Sequence, residues 1–407
     1  MDDDIRSILF VDDDEKVINA LERSMVETEY NCFYATGGRE ALKLMEDTEI
    51  DLVIADMVMP IMDGYQLLKK VEDKYPDTAR LVLSAYSESE KVKRCLVEGL
   101  IENYLSKPWK DEELKTSIEN ALSLKADLED ESIVALLSGI KKFPVLPSIY
   151  YDVSQASKAG KNAVYISKII SKDAAFAADV MKVSNSAFYY HGKRTTSVMS
   201  AIVFLGMRTL KTIMINISLF KSLDKEFTDE AEQLWDHCAL TNELAFTLYK
   251  SLTFRELPDE FHSAGLLHDL GKFFLMNALP DKYKEIMRLI KQNPDKNWID
   301  VEKEVVEVSH AKLGSLLLKK WNFTRKLPIA VEYHHRPLEA PFNLTDKQAM
   351  AVLYMANALS WKIMNNEDEF EFPEEIYQAV KKGKPEVERA FNLFREERKR
   401  RLKMKGK

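Results

Sequence analysis

The sequence predicts a multidomain protein, an α/β doubly wound parallel sheet followed by an all-α domain. Two observations carry that expectation. Over residues 5–124, short apolar or β-branched runs alternate with longer stretches of helical period. From Phe143 to about residue 364 the strand signals stop and amphipathic helical segments dominate. Length agrees: 407 residues exceed what one typical core organises, so two or three domains are expected.

Taken in order, "SILFV" precedes "EKVINALERSMVE", "DLVIA" precedes "GYQLLKKVEDKY", "RLVLSA" precedes "SEKVKRCLVE", and "NYLS" precedes "DEELKTSIENAL". A parallel sheet opens crevices at the carboxyl ends of its strands. The polar residues of note sit at those ends: Asp12 and Asp13 after the first run, Asp56 at the end of the second, Ser84 in the third and Lys107 after the fourth. Any one aspartate alone would read as a turn or helix cap. Several at converging strand ends point to a site. Three carboxylates packed together need a cation, and a set of hard oxygen ligands suits Mg²⁺. Asp56 could then act as a nucleophile toward a phosphoryl group while the metal, Ser84 and Lys107 neutralise its oxygens. Pro60 and Gly64 fit a loop that approaches that site closely.

The motifs "FVDDD", "DMVMPIMDG", "LSA" and "SKPW", in this order and spacing, resemble the receiver domain of two-component response regulators. The resemblance implies a five-stranded flavodoxin-like sheet. It makes Asp56 the phospho-acceptor, gives Mg²⁺ to Asp12, Asp13, Asp56 and the Val58 carbonyl, and sets Ser84 and Lys107 on the phosphoryl group. Tyr104 matches the switch aromatic. A sensor histidine kinase or phosphotransfer protein is the implied phosphodonor.

After the receiver-like segment, assigned to residues 1–124, a helical linker is expected at 125–134. "SIENALSLKADLEDESIVALLSGI" has no Pro or Gly before Gly139. It reads either as one continuing helix that transmits strain or mediates homodimer contacts, or as a helix followed by a turn near "DLEDES".

The region 135–370 contains His237, His262, His268, His310, His334 and His335, besides His191, and the doublet His268-Asp269. Imidazoles and a shared carboxylate suit divalent transition metals, and two such ions can clamp a phosphate. "DHCAL", "LLHDLGK", "VSHAKLG" and "EYHHRP" resemble the HD phosphohydrolase superfamily. "LPSIYYDVSQ", "SAIVFLGMRTLKTIMI" and "HAKLGSLLLKKW" narrow the resemblance to the HDOD domain, the HD-related output domain of bacterial signalling proteins. Carried over, the metal ligands are His237, His268, Asp269, His310, His334, His335 and, where an aspartate is expected, Asn357. The ion would be Fe, Mn, Zn or Ni. A neutral amide coordinates more weakly than a carboxylate, so this departure implies loss of one ion or both. "KDAAFA" lacks a common proline, and the Gly-Tyr-Pro signature of the cyclic-dinucleotide phosphodiesterases is missing after "HHRP". His191 and His262 match no motif position. Lys272 is read either as a phosphate contact or as a solvated charge at a helix end.

The resemblance implies a response regulator with a largely non-catalytic HDOD output that binds a downstream signalling protein. The alternative is a phosphorylation-gated, metal-dependent phosphohydrolase acting on a nucleotide or cyclic dinucleotide, and a third reading binds such a messenger without cleaving it.

A net charge of -8 argues against a general nucleic-acid binder. The most apolar stretch, "AIVFLGMRTLKTIMINISLF", carries Arg208 and Lys211 in its middle, so membrane insertion is not expected. "MDDDIRS" lacks a signal peptide's positive start, and Cys32, Cys95 and Cys238 are widely spaced, as for reduced thiols in a cytoplasmic protein. Residues 371–407 are expected to form a charged helical tail, basic from Arg395 onward.

Overall fold

The computed structural model describes residues 5–85, 91–92, 94–95, 100–101, 103–128, 130–138, 146–184, 195–221, 223, 225–293 and 295–405. The chain divides into two compact units, Met1–Ala135 with Leu316–Arg325, and Leu136–Ser315 with Lys326–Lys407.

In the first unit, five parallel strands run in the order β2-β1-β3-β4-β5, where β1 is Ser7–Val11, β2 Asn31–Ala35, β3 Leu52–Asp56, β4 Ala79–Ser84 and β5 Asn103–Ser106. The side chains of a strand alternate between faces. Leu9, Val11, Val53, Ala55 and Val82 therefore line one core, while Ile8, Phe10, Leu52, Ile54, Leu81 and Leu83 line the other. Helix Gly64–Lys74 covers the first core with Leu67, Leu68 and Val71. Helices Glu15–Met25 and Asp111–Leu128 cover the second with Leu21, Met25, Leu114, Ile118 and Ala121. Burial on both faces explains why the central strands read as unbroken apolar runs.

Two features differ from the sequence expectation. The strand β2 was not among the apolar runs, because it is an edge strand whose "NCFYA" is only partly buried. The helix Asp111–Leu128 ends before a separate helix Glu131–Ser138, which favours the turn near "DLEDES" over one continuous helix. Most of the expected helix "SEKVKRCLVE" lies outside the described residues.

The strand order reverses between β1, which pairs with β2 and β3, and its neighbour β3. That topological switch point is where open α/β sheets bind ligands, and it places Asp12 beside Asp56. Helix Glu15–Met25 starts there, capped by Asp14, whose carboxylate accepts from Lys16 N at 2.8 Å.

The second unit is helical. The helix Thr228–Thr253 packs against Leu344–Met364, Ala264–Leu267 and Lys384–Lys405. Its residues His237, Cys238, Ala239, Leu240, Thr241 and Asn242 are all buried, so this stretch is enclosed on every side and His237 lies inside the core. Two glycines let backbones touch. A Cβ on Gly265 would lie 2.4 Å from Asn242 Cα, and one on Gly271 would lie 2.0 Å from the His310 carbonyl oxygen. Both substitutions force backbone to move. We expect Gly271→Ala to destabilise the protein by about 1–3 kcal/mol or more in urea unfolding. An unchanged midpoint would contradict this packing.

The helix Lys384–Lys405 includes the basic end of the chain and buries Val387, Ala390, Phe391 and Phe394. Arg398 pairs with Glu243 at 3.3 Å, Arg401 also pairs with Glu243, and Arg395 pairs with Asp368. Helix Val198–Lys221 is long and apolar enough to cross a membrane by length and composition. Within the unit it buries Ala201, Ile202, Leu210, Ile213, Met214 and Ile215.

Candidate functional sites

At the switch point, Lys107 Nζ donates to Asp12 Oδ2 at 2.6 Å and also pairs with Asp56 Oδ1. Asp56 Oδ2 accepts from Val58 N at 2.7 Å, and Asp12 Oδ1 accepts from Asp14 N at 3.0 Å. Asp12, Asp56 and Ser84 are buried, whereas Asp13 and Val58 are exposed at the rim. Burial pushes the Asp56 carboxyl up despite the Lys107 ammonium. Burial also disfavours charge on Lys107, yet hydrogen bonds to Asp12 and Asp56 prevail and push its pKa up. Ser84 closes β4 with Oγ donating to the Ala85 carbonyl at 3.1 Å. Tyr104, half-buried on β5, packs on the core that contains Met57. The loop after β3 returns so tightly that a Cβ on Gly64 would lie 2.2 Å from the Asp56 carbonyl oxygen.

A second cluster lies in the helical unit. Helix Thr228–Thr253 supplies His237, the junction of Ala264–Leu267 with Leu270–Ala278 supplies His268 and Asp269, helix His310–Lys320 opens on His310, and His334 and His335 follow helix Lys326–Glu332. All converge on one carboxylate. His237 Nε2 and His268 Nε2 lie 3.6 and 3.5 Å from Asp269 Oδ2. His310 Nε2 and His334 Nε2 lie 3.1 and 3.7 Å from Oδ1, and His335 Nε2 is 3.1 Å from His310 Nε2. Oδ1 nevertheless receives no hydrogen bond.

Outer partners fix the rings. His268 Nδ1 donates to the Gly265 carbonyl at 2.9 Å and His334 Nδ1 to the Val331 carbonyl at 2.6 Å. Carbonyls only accept, so the proton is on Nδ1 and the Nε2 lone pairs face inward. Ser360 Oγ accepts from Thr241 and donates to the Asn357 carbonyl, so it must accept from His237 Nδ1, 2.7 Å away. His310 Nδ1 lies 2.7 Å from the carboxylate of Glu302, which also accepts from His310 N at 2.8 Å. Inward lone pairs, a bare carboxylate oxygen and outer-shell partners form a donor set that could hold a divalent transition metal.

The fold brings together the six inner residues named from the sequence, and around them stand Glu302, Ser360 and Thr241, which the sequence did not point to. Trp361 was missed too; its ring stacks on His237 at 4.2 Å. Asn357 is buried beside His237. Lys272 is neither a solvated helix end nor free for phosphate. It is buried within helix Leu270–Ala278 and donates to Asp269 Oδ2 at 2.9 Å. The motif glycine before it permits a close approach to His310, so the helix runs on. His262 bonds to the Leu257 carbonyl at 2.8 Å, away from the cluster, and His191 lies outside the described residues.

Burial, then neighbouring rings, pushes His237, His334 and His335 down, the last to about 2. Burial also pushes His268 down. Burial would raise the Asp269 carboxyl, but Lys272 and His268 hold it well below the usual range. Burial likewise opposes charge on His310, yet Glu302 raises its pKa. For the four lowered histidines the unfolded chain binds more protons below its value of about 6.5. Their contribution is complete above about pH 6.5 and lost as pH falls. In metal-free protein the urea midpoint should therefore drop from pH 7 to 5, with a slope of at most about 1.4 kcal/mol per pH unit per histidine. A flat profile would contradict neutral buried rings.

Two family models match the chain, the response regulator receiver domain over residues 8–119 and the HDOD domain over residues 143–337. The chain joins a receiver domain to an HDOD domain. An uncharacterized protein of Treponema pallidum is 26% identical over 204 residues, 50% of this chain and 39% of that protein. The hydrogenase transcriptional regulatory protein HoxA of Bradyrhizobium diazoefficiens is 33% identical over 118 residues, 29% of this chain and 24% of that protein. The chain thus spans about a quarter to two fifths of these curated relatives. The structure of a putative phosphohydrolase from Shewanella amazonensis matches with TM-score 0.50 and 21% identity, covering 66% of this chain and 97% of that one, which marks a shared fold. The receiver–HDOD arrangement is that of a response regulator with an HD-related output.

Proposed function

We propose that phosphoryl transfer to Asp56 controls what the HDOD domain binds. The observation that carries this reading is the Asp12–Lys107–Asp56 constellation at the sheet's switch point. A phosphohistidine of a kinase or phosphotransfer protein is the donor: an Asp56 oxygen attacks phosphorus, the P–N bond breaks, and the imidazole leaves. Val58 N holds Oδ2 and Lys107 attends Oδ1, which fixes the nucleophile's orientation and screens the incoming oxygens. Asp12, Asp13, Asp56 and the Val58 carbonyl would hold Mg²⁺, which supplies further charge neutralisation. Ser84 and Lys107 then bind the acyl phosphate, and Tyr104 relays its presence. Incubation with acetyl phosphate and Mg²⁺ should give one base-labile, hydroxylamine-sensitive phosphoryl group per chain; none would sink the receiver half of the proposal. A receiver domain that takes its phosphoryl group from a kinase supports a cytoplasmic location.

In the HDOD domain, the cluster of His237, His268, Asp269, His310, His334 and His335 offers two sets of ligands, one on either side of Asp269, from which a divalent transition-metal centre such as Fe, Mn, Zn or Ni would be built. The four histidines 237, 268, 310 and 334 are 0% exposed and Asp269 is 1% exposed. Such enclosure supports a centre that organises the domain for partner binding rather than turnover. The convergence of six ligands favours a second reading, a metal-dependent phosphohydrolase gated by the receiver. Hydrolysis of a nucleotide or cyclic dinucleotide that is absent in Asp269→Ala would decide for it; no turnover across a metal-loaded panel would decide against it.

A further inference from the structure

The two oxygens of Asp269 face unequal surroundings. On the Oδ1 side are three imidazoles, His310, His334 and His335, and an oxygen that receives no hydrogen bond. Behind His310 stands the fully buried carboxylate of Glu302, 2.7 Å from Nδ1, which makes this side more negative and His310 a stronger donor. On the Oδ2 side are two imidazoles, His237 and His268, and the neutral amide of Asn357 at His237. That side also has a resident cation. Lys272 Nζ donates to Oδ2 at 2.9 Å, and its ammonium sits 4.8 Å over the Trp298 ring centroid. A lysine only 7% exposed, paired with one carboxylate oxygen and seated on an aromatic face, is built in.

We propose that the HDOD centre takes one transition-metal ion, held by Asp269 Oδ1 with His310, His334 and His335, and that Lys272 with Asn357 replaces a second ion on the Oδ2 side. The inference rests on the reading of this cluster as a metal centre. A dication on the Oδ2 side would meet the ammonium on its own bridging oxygen in a site dry enough for that repulsion to act almost unscreened. It would also find an amide where a carboxylate would have offset its charge. On the Oδ1 side no cation competes, and the outer-shell carboxylate adds to the attraction. The asymmetry leaves His237 and His268 as neutral rings tied to Ser360 and Gly265, a packed remnant beside a working site.

The test is the number of ions per chain. Full-length protein is stripped with chelator and titrated with Zn²⁺ and, separately, Mn²⁺, with bound metal counted by mass spectrometry and affinity measured by calorimetry. Wild type should hold one ion. His335→Ala should weaken it by about tenfold or more, while His268→Ala changes its affinity far less, and Lys272→Met with Asn357→Asp should admit a second ion. Metal-free far-ultraviolet spectra of each variant control for folding. Two ions in wild type, equal losses in His268→Ala and His335→Ala, or one ion in the double variant would overturn the inference while leaving a metal centre in place. No ion in folded wild type would instead remove the metal reading beneath it.

Discussion

Asp56→Asn should lose all base-labile, hydroxylamine-sensitive phosphorylation by acetyl phosphate and Mg²⁺, with little loss of stability. The carboxylate is the nucleophile, and an amide of nearly the same shape has no anionic oxygen to attack phosphorus. The side chain keeps one oxygen to accept from Val58 N, so the loop after β3 is retained. What changes is the charge that Lys107 faces: it keeps Asp12 at 2.6 Å and loses Asp56. Phosphorylation that persists in the variant would move the acceptor elsewhere. Lys107→Ala should behave differently. It leaves Asp12 and Asp56 as two buried like charges, so phosphorylation survives in reduced yield and the receiver becomes less stable at neutral pH.

Asp269→Ala should cost about 3–5 kcal/mol in urea unfolding of metal-free protein and abolish metal retention. Asp269 is the one carboxylate on which the inner histidines and Lys272 converge. Its removal strands a buried ammonium, which is why the loss should exceed that of an ordinary truncation. Adding Lys272→Met should restore part of the stability and none of the metal. A cost below about 1 kcal/mol would mean the ammonium finds another partner and would contradict the pairing.

The receiver's architecture could be read from its residues because each central strand is buried on both faces, so apolar runs and helical runs alternate cleanly. The edge strand β2 escaped because partial exposure blurs that signal. In the HDOD domain the inner cluster was readable only through motif resemblance; histidine spacing alone does not say that four separate segments meet. Glu302 carried a weaker sign that could have been used. It lies between Val301 and Val306 on a buried face, where an unpaired carboxylate would be costly, so a partner was required. The partner could not be named because it depends on the turn at Glu307, whose φ of 63° swings the next helix back toward it. Lys272 was misjudged because the glycine before it looked like a helix stop. In the fold that glycine serves a backbone contact with His310.

If the state of Asp56 reaches the HDOD domain, hydrogen exchange read by mass spectrometry will register it there. Full-length protein with Mg²⁺ is compared with and without beryllofluoride, a phosphoryl mimic, alongside Asp56→Asn. Peptides of the HDOD domain, such as those from 146–184 or 228–253, should change their exchange in wild type and not in the variant. Changes confined to residues 5–128 in wild type would contradict that coupling.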